Sequence, residues 1–266
     1  MEYTTLGNTG IEVSKICLGC MSFGSSEWRD WVLDEDESIP IIERAIDLGI
    51  NFFDTANMYS VGESERVVGK ALEGREEESV LATKVYFQMN DDNPNSGGLS
   101  RKTIEQELDA SLERLGMDTI DLYQTHRWDY DTPIEQTLRV LDDAVRRGKV
   151  RHIGASSMWS YQFSEEMKST TRGETDTYMH QHPYPDGGGR TINERVQELA
   201  EDKGVTMAQI SLSWLFHKDW VDSPIVGTTS VEHLEEAVEA LDIKLSDGDI
   251  EYLEEPYEPV RVSGHT

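Results

Sequence analysis

Between residues 16 and 155, apolar runs of β-type residues alternate with amphipathic helical stretches five times in register, an order that commits a chain to a parallel sheet with crossover helices. The strands read as Ile16–Cys20, Asn51–Asp54, Val80–Val85, Ile120–Gln124 and Val150–Ala155. Between them, Ser38–Leu48, Ser64–Leu72 with Ser64 as N-cap, Ser100–Leu115 and Pro133–Arg147 read as helices. Ahead of this repeat, Tyr3–Leu6 and Ile11–Lys15 flank Gly7-Asn8-Thr9-Gly10, the pattern of a β-hairpin.

The rhythm stops at Met158. From there to Arg190 the chain has no run of Val, Ile or Leu and ends rich in turn residues. It resumes with helices at Thr191–Lys203 and Thr206–His217, a strand at Ser223–Gly227, a helix at Val231–Leu241 and a last helix at Ser246–Glu254. One βαβ unit takes about 30 residues, so 158–190 is too short for two strands and two helices. The expectation is six sheet strands in one α/β domain over residues 1–266, with an irregular segment at 158–190.

Charge narrows the partners. With Asp+Glu 52 against Lys+Arg 24, the net charge is -28, and no basic patch is available to displace counterions from nucleic acid or an anionic membrane. The acids are spread along the chain and Arg outnumbers Lys, which suggests a halophilic protein adapted to concentrated salt, where like charges are screened. Two cysteines make no secreted disulfide framework, and the start of the chain lacks a secretion signal. The expectation is a soluble cytoplasmic protein.

Several stretches carry a family pattern in order: LGNTGIEVSKICLGCMSFG, GINFFDTANMYSVGESERVVGKAL, LATKVYF, LERLGMDTIDLYQTHRWD, TPIEQTLRVLDDAVRRGKVRHIGASSM and IVGTTSVEHLEEAVEAL. Together they resemble the aldo-keto reductases, most closely the aryl-alcohol-dehydrogenase-like branch. The resemblance implies a (β/α)8 TIM-barrel-like fold with an N-terminal hairpin, here truncated to about six barrel strands.

It also implies a catalytic tetrad of Asp54, Tyr59, Lys84 and His126, each where a strand runs out into a loop. As hydride reaches a carbonyl carbon, negative charge grows on the oxygen and a proton donor must be waiting. Tyr59 would be that acid. A free phenol, with pKa about 10, is a reluctant donor, so an ammonium at Lys84 would help by stabilising phenolate. Asp54 would hold Lys84, and His126 would orient the carbonyl oxygen. Taken singly, each also reads as a turn cap, a surface aromatic, a snorkelling lysine or a strand-end histidine.

For a cofactor, NADP(H) or NAD(H), the resemblance implies Ser156 and Ser157 at the nicotinamide carboxamide. Gly227, Thr228, Thr229 and Ser230 would sit at the adenosine phosphate, where a turn feeds a helix N-terminus, with His233 and Glu236 near adenine. The lysine or arginine that family members place around Thr229 or Ser230 is absent, which favours neither cofactor. The family's cofactor contacts from strands 6 and 7 would fall in 158–190, where we read no equivalent. Trp28, Tyr86, Trp128 and Trp159 on the surrounding loops suggest an aromatic carbonyl substrate.

Two classes stand: an NAD(P)H-dependent reductase of aldehydes or ketones, favoured by the tetrad, and a catalytically impaired relative acting as a nucleotide-binding or interaction protein, favoured by the short cofactor wall. No metal site is expected. Cys17 and Cys20 read as core, and His180 and His182 as loop residues.

Overall fold

The computed structural model describes residues 1–157 and 187–259. Contacts group the chain into two compact units, Met1–Ser156 with Val221–Val238, and Ser157–Trp220 with Glu239–Thr266.

The first unit holds the sheet. Strands β1 (Tyr3–Thr5) and β2 (Glu12–Ser14) form the expected antiparallel hairpin. The barrel-type strands are β3 (Cys17–Gly19), β4 (Phe52–Asp54), β5 (Val80–Val85), β6 (Ile120–Thr125), β7 (Val150–Ala155) and β8 (Ile225–Gly227). All pair in parallel, in the order β7-β6-β5-β4-β3-β8. Among the described residues β7 and β8 therefore stand at the two edges, as six strands of an eight-stranded plan require, and Ile225 on β8 is 58% exposed.

Helices α1 (Glu35–Asp47), α2 (Glu63–Ala71), α3 (Arg101–Leu115) and α4 (Ile134–Arg146) are the crossovers, and α7 (Val231–Glu239) follows β8. Two helix starts differ from the sequence reading. Helix α1 begins at Glu35, because Glu35, Asp36 and Glu37 suit the positive end of the helix dipole. Helix α2 begins at Glu63, behind a left-handed Gly62, and Ser64 is not its cap: its hydroxyl instead donates to Cys20 O at 2.7 Å. Ser100 does cap α3, accepting from Thr103 N at 3.2 Å.

Side chains two apart on a strand share a face, so each strand presents an inner row. Near the strand starts this row is apolar: Cys17, Phe52, Val80 and Ala82 pack with Val13, Leu6 and Ile11 of the hairpin, which plugs that end. Two residues further along, the same row becomes Asp54, Lys84 and Gln124. The outer row, with Leu18, Phe53 and Leu81, is buried. Cys17 and Cys20 are fully buried and free, as core residues.

The second unit is helical: α5 (Gly189–Lys203), α6 (Met207–Phe216) and α8 (Asp247–Glu254) enclose Val196, Ala200, Ile210, Leu245, Ile250 and Leu253. Thr206 with Gln209, and Ser246 with Asp249, form capping boxes at α6 and α8. Gly188 is the left-handed residue opening α5, and a Cβ there would meet Pro256 O at 2.0 Å. No described helix is long and apolar enough to cross a membrane.

Candidate active site

Strand register brings the tetrad together. Asp54 stands level with Ala82 on β5, and Lys84 lies one inner-row position beyond it, level with Gln124 on β6. His126 follows two residues later and is fixed by its amide, which donates to Val85 O at 3.0 Å. Tyr59 arrives from the loop after β4, whose Thr55 and Asn57 amides donate to Ala82 O and Lys84 O.

Lys84 is the hub. Its ammonium donates to Asp54 Oδ1 in a buried ion pair, to Thr55 O at 2.8 Å and to Tyr59 Oη at 3.3 Å. Burial alone would lower its pKa, but the charge of Asp54, with the hydrogen bonds to Asp54 and Tyr59, outweighs it and holds the ammonium well above the usual lysine range. The other Asp54 oxygen accepts from Gln124 Nε2 at 3.0 Å. The Tyr59 and His126 rings meet edge to face at 5.7 Å. Burial first, then the charges of Lys84 and Arg127, push the His126 imidazole down to about 2, so the ring is neutral at ordinary pH. Its Nδ1 is buried and has no partner among the described residues.

The loop residues are placed unevenly. The ring that meets His126 is Phe87, at 5.0 Å, with Tyr86 edge-on to Phe87 at 5.4 Å and Arg127 over Phe87. Trp28 stacks under Arg29 at 4.6 Å, on a segment whose Ser25 amide donates to Ser60 Oγ beside Tyr59. Trp128 is half-buried, with no ring contact to the tetrad among those observed. Trp159, His180 and His182 lie outside the described residues.

Three partners escaped the sequence reading. Gln124 carries one signal, since it precedes His126 by two on the inner face of its strand. Phe87 and Asn57 carry none, because their contacts come from other strands and helices.

On the cofactor side, Gly227, Gly19 and Asp54 are level across β8, β3 and β4. Nothing lies within 4 Å of where a Gly227 Cβ would stand, so the backbone is open to close approach. Beyond it, Thr228 Oγ1 accepts from Ser230 N at 3.1 Å, and Ser230 Oγ accepts from His233 N at 3.2 Å. The first amides of α7 have no intrahelical partner, and Thr229 is exposed beside them. Glu236 is half-buried one turn along. Ser156 donates its amide to Thr125 O at 2.8 Å, and Ser157 is left-handed at φ 51. The open backbone at Gly227 and the N-terminus of α7 suit an anion, and Thr229 and Ser230 bring no cationic side chain to it.

The aldo/keto reductase family model matches residues 15–186 and 186–258, so the chain belongs to that family of oxidoreductases, which reduce carbonyl groups with nicotinamide cofactors. The match runs in two segments that meet at residue 186, within the stretch 158–190 where the family pattern was expected to be interrupted. Versiconal hemiacetal acetate reductase of Aspergillus parasiticus is 37% identical over 338 aligned positions, covering 97% of this chain and 98% of the relative. A putative aryl-alcohol dehydrogenase of Schizosaccharomyces pombe is 36% identical over 345, covering 98% and 97%. Another from Saccharomyces cerevisiae is 32% identical over 339, covering 98% of each. These alignments are longer than the 266-residue chain, so the relatives carry residues with no counterpart here, as an internal deletion requires.

Proposed function

We propose that this protein reduces aldehydes or ketones at the ends of β4, β5 and β6, with Tyr59 as the general acid. The observation that carries the reading is the 3.3 Å approach of the buried Lys84 ammonium to the Tyr59 phenol oxygen. A nicotinamide cofactor, when bound, supplies the hydride. Tyr59 then delivers its proton to the forming alkoxide, and the Lys84 ammonium stabilises the phenolate left behind. Asp54 keeps Lys84 charged and in place. The neutral His126 can donate one N–H to the carbonyl oxygen and fix which face it presents. Ser156, Ser157 and the Gly227–Ser230 turn with His233 and Glu236 would hold the cofactor, and no cation at Thr229 or Ser230 selects NADPH over NADH. Trp28, Tyr86, Phe87 and Trp128 favour an aromatic substrate, in keeping with the aryl-alcohol dehydrogenase names of two relatives. We place the protein in a salt-rich cytoplasm on its charge of -28.

A second reading, a catalytically impaired relative that binds nucleotide, is favoured by the residues missing relative to its relatives. Titrating NADPH and NADH into the protein, then adding an aromatic aldehyde, separates the two. Binding with turnover supports the reductase, and binding without turnover supports the second reading.

A further inference from the structure

Behind the Tyr59 loop, on the outer face of the sheet, lies a buried polar cluster that the proposed chemistry does not use. Glu65 of α2 is fully buried; its Oε1 accepts from Thr83 Oγ1 at 2.6 Å and its Oε2 from Arg114 Nε at 2.6 Å. Arg114, on α3, also reaches Ser111 Oγ at 3.1 Å and lies 3.8 Å from Glu107 Oε2. Two carboxylates thus share one guanidinium. Glu107 obtains its close donor elsewhere, from Asn57 Nδ2 at 3.0 Å.

Asn57 is fully buried and sits two residues before Tyr59. Its backbone amide donates to Lys84 O at 3.2 Å, so one residue ties the loop to the strand bearing Lys84 and to α3. The loop needs such a tie. Ser60 and Val61 are left-handed, at φ 49 and 52, and Gly62 follows at φ 96. For a β-branched valine this is a strained conformation, which persists only where the surroundings impose it. Arg114 also lies against the loop: a Cβ on Gly62 would meet its Cδ at 2.6 Å.

We propose that Asn57 is a positioning residue for the acid: by donating to Glu107 it clamps the strained loop to α3 and sets the Tyr59 oxygen beside Lys84. The inference rests on Tyr59 being the acid. It makes the clamp sensitive to charge at one atom. In Asn57→Asp a carboxylate replaces the amide and faces Glu107, with Arg114 and Glu65 behind it and the Lys84 backbone in front, and the buried Tyr123 phenol of β6 feels the charges of Glu65, Glu107, Asp109 and Arg114. Two carboxylates in one buried site cannot both be ionised without cost, so the loop is pushed off its seat. A proton bound at low pH lets one carboxyl donate to the other and reseats it.

The test compares Asn57→Leu, Asn57→Asp and Tyr59→Phe with the unaltered protein over pH 5–8. Misplacing a reacting group by about 1 Å can cost about 100-fold in rate, so Asn57→Leu is expected to lower kcat by about 10- to 100-fold at every pH while nucleotide affinity stays within about twofold. Asn57→Asp is expected to be as slow at pH 8 and to recover about tenfold relative to the unaltered protein at pH 5, which a loss of packing would not produce. Added to Tyr59→Phe, Asn57→Leu should cause no further loss. An unchanged kcat in Asn57→Leu, the lack of acid recovery in Asn57→Asp, or losses that multiply with Tyr59→Phe would overturn the proposal. If Tyr59→Phe alone turns over at the unaltered rate, Tyr59 is not the acid. A crystal structure of Asn57→Leu then decides whether the clamp exists, since a Tyr59 oxygen still 3.3 Å from Lys84 Nζ shows that Asn57 does not hold it.

Discussion

Gln124 and Lys84, level with each other on neighbouring strands, divide the carboxylate of Asp54 between them: Gln124 Nε2 donates to Oδ2 at 3.0 Å while the Lys84 ammonium takes Oδ1. Asp54 is thereby fixed against rotation, and Lys84 keeps its remaining reach for Tyr59. Removing the Gln124 donor leaves a buried acceptor unpaired, at a cost of about 1–3 kcal/mol. Gln124→Met should therefore lower the melting temperature and reduce kcat by about tenfold with KM little changed. Thermal melts and steady-state kinetics on one preparation check both.

Lys84 stands at the centre of a buried ion pair, and breaking such a pair on one side costs about 3–5 kcal/mol because the other charge is left uncompensated. Lys84→Met should be markedly destabilised by denaturant melts and inactive. Pairing it with Asp54→Asn removes the stranded charge, so the double variant should be more stable than Lys84→Met and still inactive.

His126 sets a pH dependence of stability. Its folded pKa, about 2, lies below the unfolded value near 6.5, so the unfolded chain binds the proton first and stability falls as pH drops below about 6.5. From pH 6.5 to 5 this term removes up to about 2 kcal/mol, at about 1.4 kcal/mol per unit. His126→Gln lacks it, so the stability gap between the two proteins should shrink over that range in denaturant melts.

Much of the fold could be read from the chain. The six parallel strands follow from apolar runs, and strands Val80–Val85 and Val150–Ala155 match residue for residue. The tetrad could be named because each member sits at a strand end inside a motif. Helix starts were harder: Gly62 begins α2 through a left-handed turn that Ser64, a good cap by type, disguises. Phe87 and Asn57 were invisible as partners and Gln124 carried only its spacing to His126, since register and crossover packing bring them to residues 30 to 70 positions away.

The exposed turn at Thr229 offers a helix N-terminus and no cation, so discrimination between NADH and NADPH should be under about tenfold. Introducing Thr229→Arg should tighten NADPH binding without changing NADH, because a guanidinium pairs with the extra phosphate. Fluorescence titration with each nucleotide gives the comparison.

A net charge of -28 repels itself less as salt shortens the Debye length to about 3 Å at 1 M. The melting temperature should rise between dilute buffer and molar KCl. A lower melting temperature in molar KCl would remove the salt-adapted reading.

The most direct test of Tyr59 as the acid is the rate of NADPH and NADH consumption with a panel of aromatic aldehydes in molar KCl, for the unaltered protein and Tyr59→Phe. With Tyr59 as the acid, turnover is measurable and falls at least about 100-fold in Tyr59→Phe while nucleotide binding is retained. Equal rates for the two proteins would contradict that role.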